Sequence, residues 1–187
     1  MDVGIRGHAC SFPEVDVTRD EQSREERLEI ARRYRERRGR ELRELAAGAV
    51  EGDVEAAGEF SAAPQEAMAA VPFIGIVMLP WARWRAKRAG LPLSMLLALT
   101  AEELHVLDVE KQDLRNDRAA AKPFRTWPRS AVRVTGVERA FMRTIVTLET
   151  PDAPLKLYAP SLRTNPWSAE VVRQLGGDAP EPLDLSS

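Results

Sequence analysis

Between residues 93 and 159 the chain is divided into short runs in which apolar or β-branched residues alternate with polar ones, and turn formers separate the runs. That spacing suits strands of five to eight residues and leaves no room for helices of ordinary length. Residues 93–100 are a compact apolar run ending in Leu96-Leu-Ala-Leu-Thr100, and residues 104–110 alternate through Leu104-His-Val-Leu-Asp108. Ala101 and Glu102 between them predict a hairpin. Residues 131–137 and 143–149 alternate again, and 155–159 follow the turn-forming Pro151-Asp-Ala-Pro154. A first strand is read at 53–61, where Val54 and Ala56 alternate with Asp53 and Glu55 before Phe60. Six short antiparallel strands make the expected class α+β, a small barrel or sandwich.

Two helices frame this region. Residues 21–44 interleave nine arginines with seven glutamates, with no proline and one glycine, Gly39, so a charged helix is expected over 21–47. Leu28, Ala31 and Tyr34 form one short apolar stripe, and Leu42, Leu45 and Ala46 another. Such narrow stripes place the helix on a surface. Arg32, Arg33, Arg35, Arg37, Arg38 and Arg40 make a candidate charged surface, either a solvated face or a contact for an anionic partner. Near the other end, Asn165 can cap a helix that begins with Pro166 and stops at Gly176. Trp167, Val171, Val172 and Leu175 recur at helical spacing, which predicts a lid with Trp167 in the core beside Val171 and Leu175. Residues 1–20 and 177–187 lack such patterns and are expected to be tails.

The segment 63–92 is the hardest to type. Residues 67–82 carry no charge but contain Pro72 and Pro80, and at 16 residues they fall short of the roughly 20 that span a bilayer. Trp81, Arg83, Trp84, Arg85, Lys87 and Arg88 follow, an aromatic and cationic cluster of a kind found at membrane interfaces. Three readings fit it: a packed segment with a solvated basic end, an interfacial membrane contact, or a surface for a protein partner.

A run of antiparallel strands closed by one amphipathic, tryptophan-bearing helix resembles the pleckstrin-homology-like domains, over about residues 50–176. The likeness to small PH-like or GRAM-like proteins of high-GC bacteria rests on Leu96-Leu-Ala-Leu-Thr100 leading into Leu104-His-Val-Leu-Asp108, on Trp127-Pro-Arg129, and on Asn165-Pro-Trp167 followed by Val171-Val-Arg-Gln-Leu175. The resemblance implies a binding scaffold with the C-terminal helix plugging a barrel end, a seventh strand either at 121–128, where Pro123 and Pro128 disfavour a central position, or within 63–92, and a contact site for anionic headgroups in the loop after the first strand. Fold alone does not assign function.

Signs of catalysis are sparse. Only two histidines are available as a general base: His8, in the expected tail, and His105, expected to be exposed in an alternating strand. Neither a Gly-x-Ser-x-Gly elbow nor a glycine-rich phosphate loop occurs. His8 and Cys10 are two ligands where a closed zinc site takes four, and Asp108, Glu110, Asp113 and Asp117 lack calcium-loop spacing. No cofactor is therefore expected, and a carboxylate-based enzyme remains the distant alternative.

With 27 basic against 29 acidic residues there is no global field to draw the chain to nucleic acid. No secretory segment is visible in the first twenty residues, and a single cysteine, Cys10, cannot form an internal disulfide. The expected location is the cytoplasm, with the inner face of the membrane as a peripheral alternative. The leading expectation is a non-catalytic binding or adaptor module with a protein partner. The second is a peripheral membrane module that contacts anionic lipid through the 81–88 cluster.

Overall fold

The computed structural model describes residues 17–64, 72–109, 121–140 and 143–181 of the 187-residue chain. His8, Cys10, Glu110, Asp113 and Asp117 lie outside the described residues. The elements, in chain order, are α1 (Val17–Ala47), β1 (Ala56–Ser61), α2 (Pro72–Ala89), β2 (Ser94–Leu99), β3 (Glu103–Val109), β4 (Ala121–Pro128), a short 3₁₀ turn (Arg129–Ala131), β5 (Arg133–Ala140), β6 (Arg143–Glu149), β7 (Leu155–Pro160) and α3 (Pro166–Gln174).

The seven strands of the described residues belong to one antiparallel sheet of order β4-β3-β2-β1-β7-β6-β5. It consists of a four-strand meander and a three-strand meander joined between β1 and β7. That junction is narrow, because Ser61 opposite Tyr158 is its one register pair. The two meanders therefore turn toward each other, and one apolar cluster fills the space between them. Met95, Leu97, Leu99, Leu104, Val106 and Trp127 of the first face Val146, Leu148, Leu155 and Leu157 of the second.

Several expectations need correction. The sheet does not close: β4 and β5 are both edges, so the molecule is a curled sheet of sandwich type and not a barrel. The seventh strand is residues 121–128. Its prolines are tolerated because β4 pairs on one side only, with β3, and a bulge between Val106 and Leu107 of β3 adjusts the register beside Pro123. The strand read at 53–61 begins only at Ala56. α1 starts at Val17, inside the expected tail, since no proline or glycine interrupts the sequence between Pro13 and Gly39. Residues 63–92 supply a helix, with Pro72 in its first turn and Pro80 inside it.

The outer face of the first meander is also covered. Leu42 and Ala46 of α1 pack with Ala57, Leu96, Ala98, Leu107 and Val109 in a second apolar cluster. Arg38 of α1 hydrogen-bonds Glu59 of β1, fixing the helix along the sheet. Burial works against the Arg38 charge, but attraction to Glu59 and the hydrogen bond outweigh it and hold the pKa above its ordinary value. Trp167 belongs to this outer cluster, while Val171 and Leu175 lie in the inner one. Trp167 is in the core, as expected, on the same side of α3 as Val171 and Leu175; because α3 sits on β1 where the meanders part, that side meets both clusters.

Asn165 holds the position before α3, but its amide donates to the Ser161 carbonyl and does not cap the helix. Gly176 ends the helix as expected, at φ +80°, and the Gly177 N–H closes on Val172 C=O. Beyond it the chain follows the sheet, with Val134 N–H donating to Leu175 C=O and Ala179 packed on the inner cluster. Residues 177–181 are thus docked where a tail is expected.

Candidate functional site

Trp127-Pro-Arg129 acts as a fastener between the meanders. Trp127 is buried and donates its indole N–H to Asp152 in the turn before β7, 2.9 Å away. Arg129 reaches Glu55 at 2.6 Å, the Thr100 carbonyl at 3.0 Å and Gln174 at 3.3 Å. These contacts satisfy buried polar groups and hold the curl in place.

His105 is buried and not exposed. In register it lies between Ala98 and Thr126, with Nδ1 3.1 Å from Thr126 Oγ1 and Nε2 3.4 Å from Glu103 Oε2. Alternation placed it opposite Leu104 and Val106 correctly, but the outer face of this meander is itself packed. Among the described residues, no three His, Cys, Asp or Glu side chains are grouped to hold a metal ion.

The two arginine-rich helices set their cations against different partners. On α1, Arg32 and Arg33 pair with Glu29, Arg37 with Glu41, and Arg38 with Glu41 and Glu59. Arg35 is half-buried and Arg40 exposed. Glutamates one turn away thus offset most of the candidate surface at Arg32 to Arg40.

On α2 the partners are aromatic rings. Ala82 and Ala86 are buried one turn apart, and Ala86 joins the inner cluster, so the second half of the helix is mounted on the sheet. Trp81 and Trp84 project, 37% and 56% exposed, and Leu79 is 36% exposed. Arg88 lies over the Trp84 ring at 5.4 Å. Arg85 turns inward and lies 5.5 Å from the ring centres of both Trp81 and Tyr158. Arg83, Lys87 and Arg88 are exposed. Among the described residues none of these four cations is ion-paired with a carboxylate, and residues 67–101 of the sequence contain no acid. Packing and exposure, which the sequence posed as alternatives, coexist on opposite faces of one helix.

The sequence did not identify the residues that β-strands bring to this helix. Tyr158 of β7 is buried and receives a second guanidinium, Arg143 of β6, 5.6 Å from its ring centre. Phe124 of β4 is 45% exposed, and Arg125 lies over it at 5.9 Å, close to Gly90 just past the end of α2. Strand alternation alone could have placed Arg143 and Tyr158 on one face, but not beside α2. No helix among the described residues is long and apolar enough to cross a membrane. No family model matches the chain, and no curated protein matches it in sequence.

Proposed function

We propose that the chain is a non-catalytic binding module of the pleckstrin-homology-like class, with the curled sheet as scaffold and the outward face of α2 as its contact surface. The order of a four-strand meander, a three-strand meander and one terminal helix supports this class. The described histidine is held within a packed face by the contact of its Nδ1 with Thr126 Oγ1, which favours a structural role for it.

The observation that carries the contact surface is the exposure of Trp81 and Trp84 beside cations that lack carboxylate partners among the described residues. Exposed tryptophans on a helix that packs through Ala82 and Ala86 concentrate binding energy, because the ring buries a large area with little loss of side-chain freedom. The unbalanced charge selects a partner whose contact surface is anionic. In this reading the module acts in the cytoplasm as an adaptor for a protein partner, with the inner membrane face as the alternative.

The test is site-specific photocrosslinking in cells, with the reactive side chain at position 84 and, as a control, at exposed position 138 on β5. Adducts at 84 and not at 138, whether protein or lipid, support the α2 face. Equal labelling at both positions removes it.

A further inference from the structure

We infer that two copies of this chain associate through the N-terminal part of α1, the helices crossing antiparallel so that the acidic half of each lies along the basic half of the other. The inference stands apart from the reading of α2 as a contact face.

α1 runs for 31 residues, about 46 Å, but its buried apolar side chains, Leu42 and Ala46, fall in the last two turns. No residue from Arg24 to Arg37 is buried. Arg24, Glu25, Glu26 and Arg27 are all exposed, and four successive residues point to every side of a helix, so α1 stands free at that turn among the described residues. A helix of about 20 residues is marginal in water without packing. Ile30 and Tyr34, one turn apart on one side, are nevertheless 63% and 52% exposed, an apolar ridge with nothing of the described chain over it.

The charge pattern selects what covers the ridge. Residues 20–31 carry five acids and two bases, and residues 32–43 carry seven bases and two acids. Ion pairs within the helix do not level this gradient, because Glu29 serves both Arg32 and Arg33, and Glu41 both Arg37 and Arg38. A uniformly acidic or uniformly basic partner lying along α1 meets repulsion from one half. A second α1 running the other way meets attraction from both. The ridge lies where the halves join, so the two-fold axis that matches charge also matches apolar surface. An axis near Glu29 sets Ile30 of each helix against the aliphatic stem of the partner's Arg27, and Glu26 opposite the partner's Arg33, each contact occurring twice. The shared apolar strip is narrow, so the dimer is weak, with a Kd on the order of 10–100 µM.

The experiment is sedimentation velocity of the full chain from about 1 to about 300 µM, a range that brackets this Kd. The wild type should pass from monomer to dimer across it, and less readily as salt rises. Ile30→Gln should weaken association about tenfold. Glu26→Arg and Arg33→Glu should each weaken it about tenfold, because each sets like charges opposite each other twice. Mixed in equal amounts, those two variants should recover the wild-type affinity, since each then meets opposite charge on the other. An effect on the helix itself would persist in the mixture. Trp84→Ala, on α2, should leave the dimer unchanged. Circular dichroism verifies that each variant keeps its helix content.

A wild type that stays monomeric at the highest concentration and low salt overturns the inference. A dimer that Ile30→Gln leaves intact, or that Trp84→Ala abolishes, assembles through another surface and overturns it too. Failure of the mixture to associate overturns the antiparallel crossing.

Discussion

Ser168 of α3 replaces a missing strand for Glu59 of β1: its hydroxyl accepts the Glu59 N–H and donates to the Glu59 C=O, both at 3.1 Å. Because β1 and β7 share the single register pair Ser61–Tyr158, the rest of that β1 edge has no ladder partner, and the helix supplies one. Ser168 is fully buried, so water cannot do the same. Ser168→Ala should strand both backbone groups and destabilise the fold by about 1–3 kcal/mol. Urea denaturation measures this, and an unchanged midpoint would show that the β1 edge is satisfied in another way.

The same crossing explains Gly58. A Cβ on this residue would stand 2.7 Å from the Ser168 Cα, a backbone atom that cannot rotate away. Gly58→Ala should force α3 off β1 and cost about 1–3 kcal/mol, although alanine ordinarily stabilises a strand relative to glycine. A more stable variant in the same denaturation experiment would refute the close approach.

Trp167 joins the lid helix to the cluster under α1, packing with Leu42, Ala46 and Leu96. Trp167→Ala should cost about 3–5 kcal/mol by opening a cavity there. Its indole N–H is buried without an acceptor among the described residues, so Trp167→Phe should lose less. Thermal midpoints of the two variants should therefore differ clearly, with the phenylalanine form nearer the wild type.

Glu170 gives α3 a pH dependence. Hydrogen bonds from Arg173 and Gln174 hold its carboxyl below the usual carboxylate value. A pKa lowered on folding contributes stability above the unfolded value of about 4.3, and that contribution is lost as pH falls through the folded value. The thermal midpoint of Glu170→Gln should then fall less than that of the wild type as the pH drops from about 5 to 3. Parallel curves would mean that the pairing adds nothing in solution.

What the sequence determined by itself was local. A compact apolar run located the strand around Leu96–Ala98, and alternation located those around Leu104–Val106 and Ile145–Thr147, because side chains two apart share a face whatever packs on it. Helical charge spacing gave α1 and its Glu29–Arg33 and Arg37–Glu41 pairs, since i,i+4 neighbours meet within any helix. Pro166 and Gly176 bounded α3 through their own backbone preferences. The tertiary structure decided everything that depends on which elements meet. Whether seven strands close or only curl depends on the narrow β1–β7 junction, which no local pattern encodes. His105 is buried because a face that alternation leaves polar or apolar can be covered in either case. That Trp167 meets the outer cluster and Val171 the inner one follows from the straddling position of α3. Arg85 could be recognised as a cation of α2, but its neighbours Tyr158 and Arg143 lie on strands that only the folded sheet brings to that helix.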